Sequence, residues 1–171
     1  MYRDDITDRK QLQGLIVCLP KKSPPMRIED YGPLTLLNSD YKTLTRIIAN
    51  RLMSCLPTII HPSQHCGIKG RSIFDAVSRA RDVMAFAEVT KQPICFVSLD
   101  LSAAFDNVSH SYMKEALRAN GFSMRFTDSI MRLYRNASSE VQINGLRSNL
   151  IPIKSSVRLG CPLACYYMPY V

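Results

Sequence analysis

Two carboxylates and one aromatic ring stand close together in the stretch CFVSLDLSAAFDNVSH. Asp100 follows an apolar run over residues 94–99, and Asp106 comes directly after Phe105. A carboxylate at the carboxyl end of a buried strand is held rigidly at a sheet edge, where ligands commonly dock, and its oxygens suit hard cations such as Mg²⁺. An aspartate can also simply end a strand and cap the next turn. From the spacing alone this structural role is slightly favoured over metal binding.

The residues between the two carboxylates bear on this choice. Ser102, Ala103 and Ala104 are small, so that backbone and substrate could approach each other closely. Phe105 is a large apolar residue in a segment that otherwise reads as an open turn. Packing into the core is the default for such a ring, and the floor of a sugar pocket is the functional alternative.

The strands that must position these residues are short and unevenly spaced. The run LIVCLP predicts a strand over residues 15–20, followed by a Pro-rich basic loop over residues 21–33. Pro93 opens the strand that ends at Asp100, and EVQINGLRSNLIPI predicts a hairpin turned at Asn144-Gly145. Helices separate these strands without a regular βαβ alternation, so we expect an α+β or irregular α/β fold.

The helices are marked by their start signals. Ser72 is a typical N-cap because Asp75 stands three residues later, as in a capping box. The other predicted starts lie at Ser39, Ser109, Ser123 and Pro162. The second helix has an apolar stripe that should face the core, formed by Ile73, Ala76, Val77, Ala80, Val83, Met84 and Ala87.

Composition limits the class of partner. The 171 residues suffice for one domain or part of a larger one, and 22 Lys and Arg against 14 Asp and Glu give a net charge of +8. That sign favours polyanions, nucleic acid first and anionic membrane second, unless it is only a solvated basic surface. No apolar run is long enough to span a membrane, and the N-terminus does not read as a signal peptide.

The cysteines indicate the compartment. The six cysteines include no CxxC pair, and Cys18 and Cys95 lie in apolar runs where a free thiol behaves as a small hydrophobe. We therefore expect a reducing intracellular compartment, nuclear or cytoplasmic.

Five blocks of the sequence, taken together and in this order, resemble the reverse transcriptase domain of non-LTR (LINE-type) retrotransposons. They are LIVCLPKK, YGPLTLLNSDYKTLTRIIANRL, HPSQHCGIKGRSIFDAV, FVSLDLSAAFDNVSH and VRLGCPL, and they cover roughly residues 15–167. The resemblance implies a polymerase right-hand fold. We expect fingers over residues 1–90, the N-terminal part of the palm over residues 91–171, and no thumb.

The resemblance implies a metal site at the strand end. Asp100 and the backbone carbonyl of Leu101 match the positions that bind two Mg²⁺ (or Mn²⁺) ions in the family. Those ions serve the attack of a DNA primer 3′-hydroxyl on a dNTP, with RNA as the template. Asp106 is expected to support the turn rather than bind metal.

The same resemblance assigns the nucleotide and nucleic-acid contacts. Phe105 matches the aromatic residue that packs under the sugar and excludes a 2′-hydroxyl. Lys21 and Lys22 match lysines that approach the incoming triphosphate. Arg71 and Arg158 match positions that contact nucleic acid, where an Arg fork suits phosphate.

The chain departs from the family pattern at three places. Gly32 replaces an arginine that contacts the triphosphate, and Leu159 replaces a glutamine that lies against the nucleotide. The aromatic-x-Asp-Asp block expected after GCPL is not found there, and the string at residues 2–5, which fits Y-x-D-D, precedes every other block. Because Asp100 alone cannot hold two cations, we expect that the isolated chain does not polymerise. Without the family's catalytic hairpin beside it, the Asp100 strand is expected to have an unpaired edge and to leave apolar surface exposed.

Three other interpretations are open. A non-catalytic nucleic-acid-binding remnant would share the fold and the charge without the enzymology. An RNA-dependent RNA polymerase would also place an acid at a palm strand end, but Phe105 favours DNA synthesis. A zinc-binding module is suggested by a cluster in one short segment, namely Cys55, His61, His65 and Cys66.

Overall fold

The structure, a computed structural model, describes residues 9–166, so the string at residues 2–5 lies outside the described part. The strands are β1 (Gln13–Pro20), β2 (Tyr31–Leu37), β3 (Ser138–Ile143), β4 (Leu146–Arg147) and β5 (Ile151–Pro152). The helices are α1 (Ser39–Ile59), α2 (Ile73–Thr90), α3 (His110–Ala119) and α4 (Met124–Arg132). Short 3-10 helices span Arg9–Leu12, Ile28–Asp30 and Ala164–Tyr166. The predicted mixture of helices and strands is confirmed.

The five strands form one mixed sheet around β1. Strand β1 pairs antiparallel with β2 and parallel with β3, while β3 pairs antiparallel with both β4 and β5. The predicted hairpin is confirmed, since Asn144 and Gly145 both have the positive φ angles, 49° and 82°, of a type I′ turn.

The basic loop ends earlier than predicted. Strand β2 begins at Tyr31 and includes Pro33, which the sequence had placed in the loop. Because β2 lies at the edge of the sheet, a proline without an N–H does not interrupt an interior ladder.

The predicted helix starts are confirmed for all four α-helices. Ser72 Oγ accepts a hydrogen bond from Phe74 N at 3.2 Å, and Asp75 Oδ2 accepts one from Ser72 N at 3.1 Å, which completes the capping box. On α3 and α4 the hydroxyls of Ser109 and Ser123 accept hydrogen bonds from Tyr112 N and Phe126 N, without a capping box. At Pro162 the structure differs, because a 3-10 helix begins two residues later, at Ala164.

The strand predicted over residues 94–99 is not formed. Residues 92–100 have no regular secondary structure, and Phe96 and Leu99 are 75% and 87% exposed. An apolar run becomes a strand only when another strand completes its hydrogen bonds, and none of the five described strands pairs with this segment. The unpaired edge predicted for the Asp100 strand is therefore not formed, because residues 92–100 are not a strand.

The apolar surface expected to be exposed is present, and it extends onto α2. Of the predicted stripe of that helix only Ala87 is buried, whereas Ile73, Val77, Val83 and Met84 are exposed. Ile94 and Phe96 line a shallow cleft of about 500 Å³ against the same helix.

The main core lies between α1, α3, α4 and the segment that follows β5. Its fully buried members include Leu117, Ile130, Val157 and Leu163. On α1 the side that faces the core includes Tyr41, Thr45, Ala49 and Leu52, which are buried, while Ile47 is exposed.

Two further predictions concern membranes and thiols. Within residues 9–166 no helix is long and apolar enough to cross a membrane. All six cysteines are free, but Cys18 and Cys95 are exposed, contrary to the prediction. Cys95 lies in the segment that forms no strand, and Cys18 lies where β1 extends beyond its pairing with β3.

Candidate nucleotide and nucleic-acid site

Asp100 and Leu101 lie exposed at the start of a tight turn. Asp106 N and Asn107 N donate to the carbonyl of Ala103 at 2.9 and 3.1 Å, and Asn107 Nδ2 donates to Ser102 O at 3.0 Å. The turn is therefore closed by its own backbone and leaves the Asp100 side chain in solvent.

The turn is attached to the segment 153–158. Phe105 O accepts a hydrogen bond from Val157 N at 3.0 Å, and Ser156 Oγ donates to Asp106 Oδ1 at 3.4 Å. The Phe105 ring is half-buried and packs on the main core. Asp106 thus supports the turn, in agreement with its expected role, and Phe105 lies close to Arg158 in the fold.

Arg158 is enclosed rather than exposed. Its side chain is 2% exposed, and its guanidinium carbon lies 5.1 Å from the centroid of the Tyr41 ring. Burial raises the pKa of the Tyr41 hydroxyl far above its ordinary value, and the charge of Arg158 opposes that shift. The phenol therefore stays neutral beside the cation.

Arg158 lines a cleft of about 410 Å³ between the sheet and the segment 152–159. Leu159, at the position where the resemblance implies a glutamine, lines the same cleft, and so does Pro33 beside Gly32. Two of the three sequence departures therefore lie in or beside one cavity, a juxtaposition that the sequence does not predict.

The two lysines after β1 differ in their surroundings. Lys22 Nζ forms an ion pair with Asp30 Oδ1 at 2.7 Å. Lys21 lies over Gly32, because a Cβ at residue 32 would be 2.9 Å from Lys21 Cε. Among the described residues Lys21 has no carboxylate partner, so its charge remains available for an anion.

Asp30 holds the loop that carries both lysines. Its Oδ2 accepts hydrogen bonds from Met26 N at 2.9 Å and Arg27 N at 3.0 Å. Lys22 first, and then the Met26 N–H, lower the pKa of the Asp30 carboxyl. Asp30 is consequently charged at neutral pH and neutralises Lys22.

Arg71 has a structural role in this fold. Its Nη1 donates to the carbonyls of His61 and Gln64 at 2.6 and 2.7 Å, and its Nη2 donates to those of Pro57 and Ile60 at 3.1 and 2.9 Å. The guanidinium thereby satisfies carbonyls at the C-terminal end of α1. The phosphate contact that the resemblance implies for Arg71 remains a prediction. Both terminal nitrogens of this side chain already donate hydrogen bonds to backbone carbonyls.

The described residues do not assemble a complete metal centre. Within residues 9–166 no group of three or more His, Cys, Asp or Glu side chains could hold a metal ion. The four residues considered for zinc, namely Cys55, His61, His65 and Cys66, therefore form no such group. One of them, His61, accepts a hydrogen bond at Nδ1 from Ser63 N at 3.2 Å. Asp100 therefore offers a single carboxylate, and the described part does not fit two divalent ions by itself.

Comparison with known proteins identifies relatives along nearly the whole chain. The family model described as "Reverse transcriptase (RNA-dependent DNA polymerase)" matches residues 19–170. The chain is 37% identical over 152 residues to the Transposon TX1 uncharacterized 149 kDa protein of Xenopus laevis, covering 89% of this chain and 12% of that protein.

Two more distant relatives carry the name of the R2 element. A Retrovirus-related Pol polyprotein from type-1 retrotransposable element R2 of Nasonia vitripennis is 24% identical, covering 91% of this chain and 15% of that protein. The Retrovirus-related Pol polyprotein from type-2 retrotransposable element R2DM of Drosophila melanogaster is 25% identical, covering 86% of this chain and 14% of that protein. The chain thus spans only about an eighth to a seventh of the length of these relatives.

Proposed function

The chain belongs to the reverse transcriptase family, in its non-LTR retrotransposon branch, and we propose that it forms the fingers and the first part of the palm of such a polymerase. The resemblance drawn from the five sequence blocks is confirmed by the family match. The observation that carries the proposal is that this match, over residues 19–170, includes the Asp100 segment. The intact polymerase would copy an RNA template from a DNA primer with dNTPs.

Asp100 is the proposed catalytic residue and, with the carbonyl of Leu101, the proposed metal ligand. Its exposure at the start of a closed turn leaves the carboxylate accessible to Mg²⁺ or Mn²⁺. The other carboxylates of a two-metal centre are not among the described residues. We therefore propose that this chain by itself does not polymerise.

Phe105 and Lys21 are the proposed nucleotide contacts. The Phe105 ring is fixed by the core and by the backbone bond to Val157, as a rigid surface under a sugar must be. Of the two lysines, Lys21 is better suited to meet a triphosphate, because Lys22 is neutralised by Asp30. Lys21 also lies over Gly32, where the family has its arginine, and so supplies a cation at that place.

A non-catalytic nucleic-acid-binding role is the second candidate. It is favoured by the net charge of +8 together with the incomplete metal centre within the described residues. Both candidates require binding to nucleic acid, and only the first requires a dNTP to contact Lys21.

Fluorescence anisotropy with a labelled DNA primer annealed to RNA tests the shared step. We expect binding that weakens steadily with added salt, as phosphate contacts require. With dCTP and dGTP added in turn, we expect only the nucleotide complementary to the template to stabilise the complex. Lys21→Ala should abolish that stabilisation, while Lys22→Ala should retain most of it. Absence of hybrid binding contradicts both candidates, and equal effects of the two lysines contradict the assignment of Lys21.

A further inference from the structure

Helix α2 carries an apolar stripe that faces solvent over most of its length. We call this surface the α2 stripe, and its members are Ile73, Ala76, Val77, Ala80, Val83, Met84 and Ala87. Only Ala87 is buried, whereas Ile73 and Met84 are 65% and 49% exposed. An amphipathic helix normally turns such a side toward a core or a partner, and a lone helix of this length is marginal in water. The α2 stripe is therefore a surface that calls for a partner.

One edge of the α2 stripe already adjoins the rest of the fold. Ile94 and Phe96 line the cleft of about 500 Å³ together with Arg79, which lies along that edge. Arg79 Nη1 also donates a hydrogen bond to Ser63 Oγ at 3.1 Å. Within residues 9–166 the middle of the stripe and its opposite edge remain open to solvent.

The open edge carries one charge of each sign. Arg81 and Glu88 are both exposed, and they lie on the same edge because seven residues make nearly two turns of an α-helix. Neither forms an ion pair with another residue of the described part of the chain. The edge is therefore charged in a pattern that an opposed, reversed copy of itself would complement.

A two-fold axis brings about that reversal. When two copies of a helix pack antiparallel about such an axis, each edge meets the same edge of the second copy, and contacts occur in symmetric pairs. Arg81 then faces Glu88 of the second copy, and Glu88 faces its Arg81. Met84 stands midway between the two charges in sequence and so lies beside the axis.

We propose that the α2 stripe binds the α2 stripe of a second copy of this chain, antiparallel about a two-fold axis near Met84. Two facing stripes about 27 Å long and 10 Å wide would bury on the order of 600–1,000 Å² in total, at the lower end for specific interfaces. The dimer should therefore be weak and reversible, with the charge pairs selecting the antiparallel register. It needs neither a metal ion nor nucleic acid, so it can fail or succeed independently of the proposed polymerase role.

Sedimentation velocity of the full chain at a series of concentrations, without nucleic acid, tests the dimer. We expect a reversible change from monomer to dimer as the concentration rises. Met84→Gln nearly keeps the side-chain volume but places an amide at the centre, and it should weaken dimerisation at least about tenfold. Phe86→Gln changes an equally exposed apolar residue on another side of α2, and it should leave dimerisation unchanged.

Charge reversal tests the antiparallel register. Arg81→Glu and Glu88→Arg each place like charges opposite one another at both symmetric contacts, so each should weaken dimerisation about tenfold. The double variant Arg81→Glu/Glu88→Arg should dimerise as the unmodified chain does. The two single variants, mixed, should pair with each other, because each then meets the opposite charge at both contacts.

A matched control separates this pairing from a general effect of charge. Asp82→Arg adds the same charge as Glu88→Arg but lies on the side of α2 away from the stripe, so it should leave dimerisation unchanged. A loss in Asp82→Arg as large as in Glu88→Arg overturns the proposal. So does failure of the double variant to restore the dimer.

Two further outcomes decide against a second copy as the partner. A chain that stays monomeric at every concentration overturns the proposal and leaves the stripe to another partner. Association that Met84→Gln and the charge variants do not weaken also overturns it, because the contact would then lie on other apolar surface.

Thermal unfolding separates loss of dimerisation from loss of folding. The melting temperature of the unmodified chain should rise with its concentration, and that of Glu88→Arg should not. At low concentration all variants should melt together, because the substituted side chains are exposed. If Met84→Gln does not fold, the charge variants decide: an unweakened dimer in folded Arg81→Glu and Glu88→Arg overturns the interface.

Discussion

At the scale of single residues, four cations of this chain differ by what surrounds them. Arg71 is engaged by backbone carbonyls, Lys22 by Asp30, and Arg158 is enclosed under the sheet, while Lys21 remains available. Their positions in the family blocks could be read from the sequence. Their partners could not, because the carbonyls, carboxylate and strands that they meet are brought together only by the fold.

Arg71 should contribute to stability through its four carbonyl contacts. We expect Arg71→Ala to lower the free energy of unfolding by about 1–3 kcal/mol, since hydrogen bonds to a charged donor are strong but these are partly solvated. Urea unfolding measures this loss. Arg46→Ala, an exposed arginine on α1, is the matched control and should change little; equal losses in both would refute the capping role.

Asp30 should make stability depend on acid. Its folded pKa is lowered below 3.8, so its contribution is fully present above that pH and is lost as the pH falls through the folded value. Unfolding by urea at a series of pH values should show the unmodified chain more stable than Asp30→Asn near neutrality. The difference should disappear in acid, and a difference that persists there would show that the Lys22 ion pair is not its source.

At the scale of elements, the features that were predictable are local. Ser72, Ser109 and Ser123 could be recognised as caps, and Asn144-Gly145 as a turn, because the hydrogen bonds and φ angles that define them involve neighbours in sequence. The strand predicted over residues 94–99 was wrong because a strand forms only when a partner strand, which can be distant in sequence, completes its hydrogen bonds. Its apolar side chains resemble a buried strand in sequence, yet they are exposed in the fold.

The exposure of that segment can be measured by truncation. Phe96→Ala should change the free energy of unfolding by no more than about 0.5 kcal/mol, because its ring is 75% exposed. Leu117→Ala, in the fully buried core of α3, should cost about 2–5 kcal/mol. If Phe96→Ala costs as much as Leu117→Ala in urea unfolding, the segment is packed as a strand after all.

The packing of the 158–160 turn against β2 makes a second test at this scale. Gly160 has a φ of 96°, and a Cβ there would lie 2.6 Å from the carbonyl oxygen of Thr35. Gly121 has a similar φ of 84° with nothing within 4 Å, so it isolates the cost of the backbone conformation. Gly160→Ala should therefore destabilise more than Gly121→Ala, by about 1–3 kcal/mol. Similar losses in thermal unfolding would show that the turn does not press on β2.

At the scale of the whole molecule, the chain combines a basic charge, a folded core and a large exposed apolar surface. The charge of +8 and the five ordered blocks were visible in the sequence, and they lead to the same family as the comparison with known proteins. Within residues 9–166 the faces of α2 and of residues 94–101 leave a large apolar surface exposed, and Asp100 offers a single carboxylate. The burial of Arg158 against Gly14 and Ser139 escaped sequence reasoning because these three residues are far apart along the chain.

The most direct test of this account is primer extension by the 171-residue chain on an RNA template in Mg²⁺, with hybrid binding measured in the same sample. Asp100→Ala provides the background. We predict that the chain binds the primer–template and incorporates no nucleotide above that background. Nucleotide incorporation that Asp100→Ala abolishes would contradict the account, because the chain would then hold a complete catalytic centre.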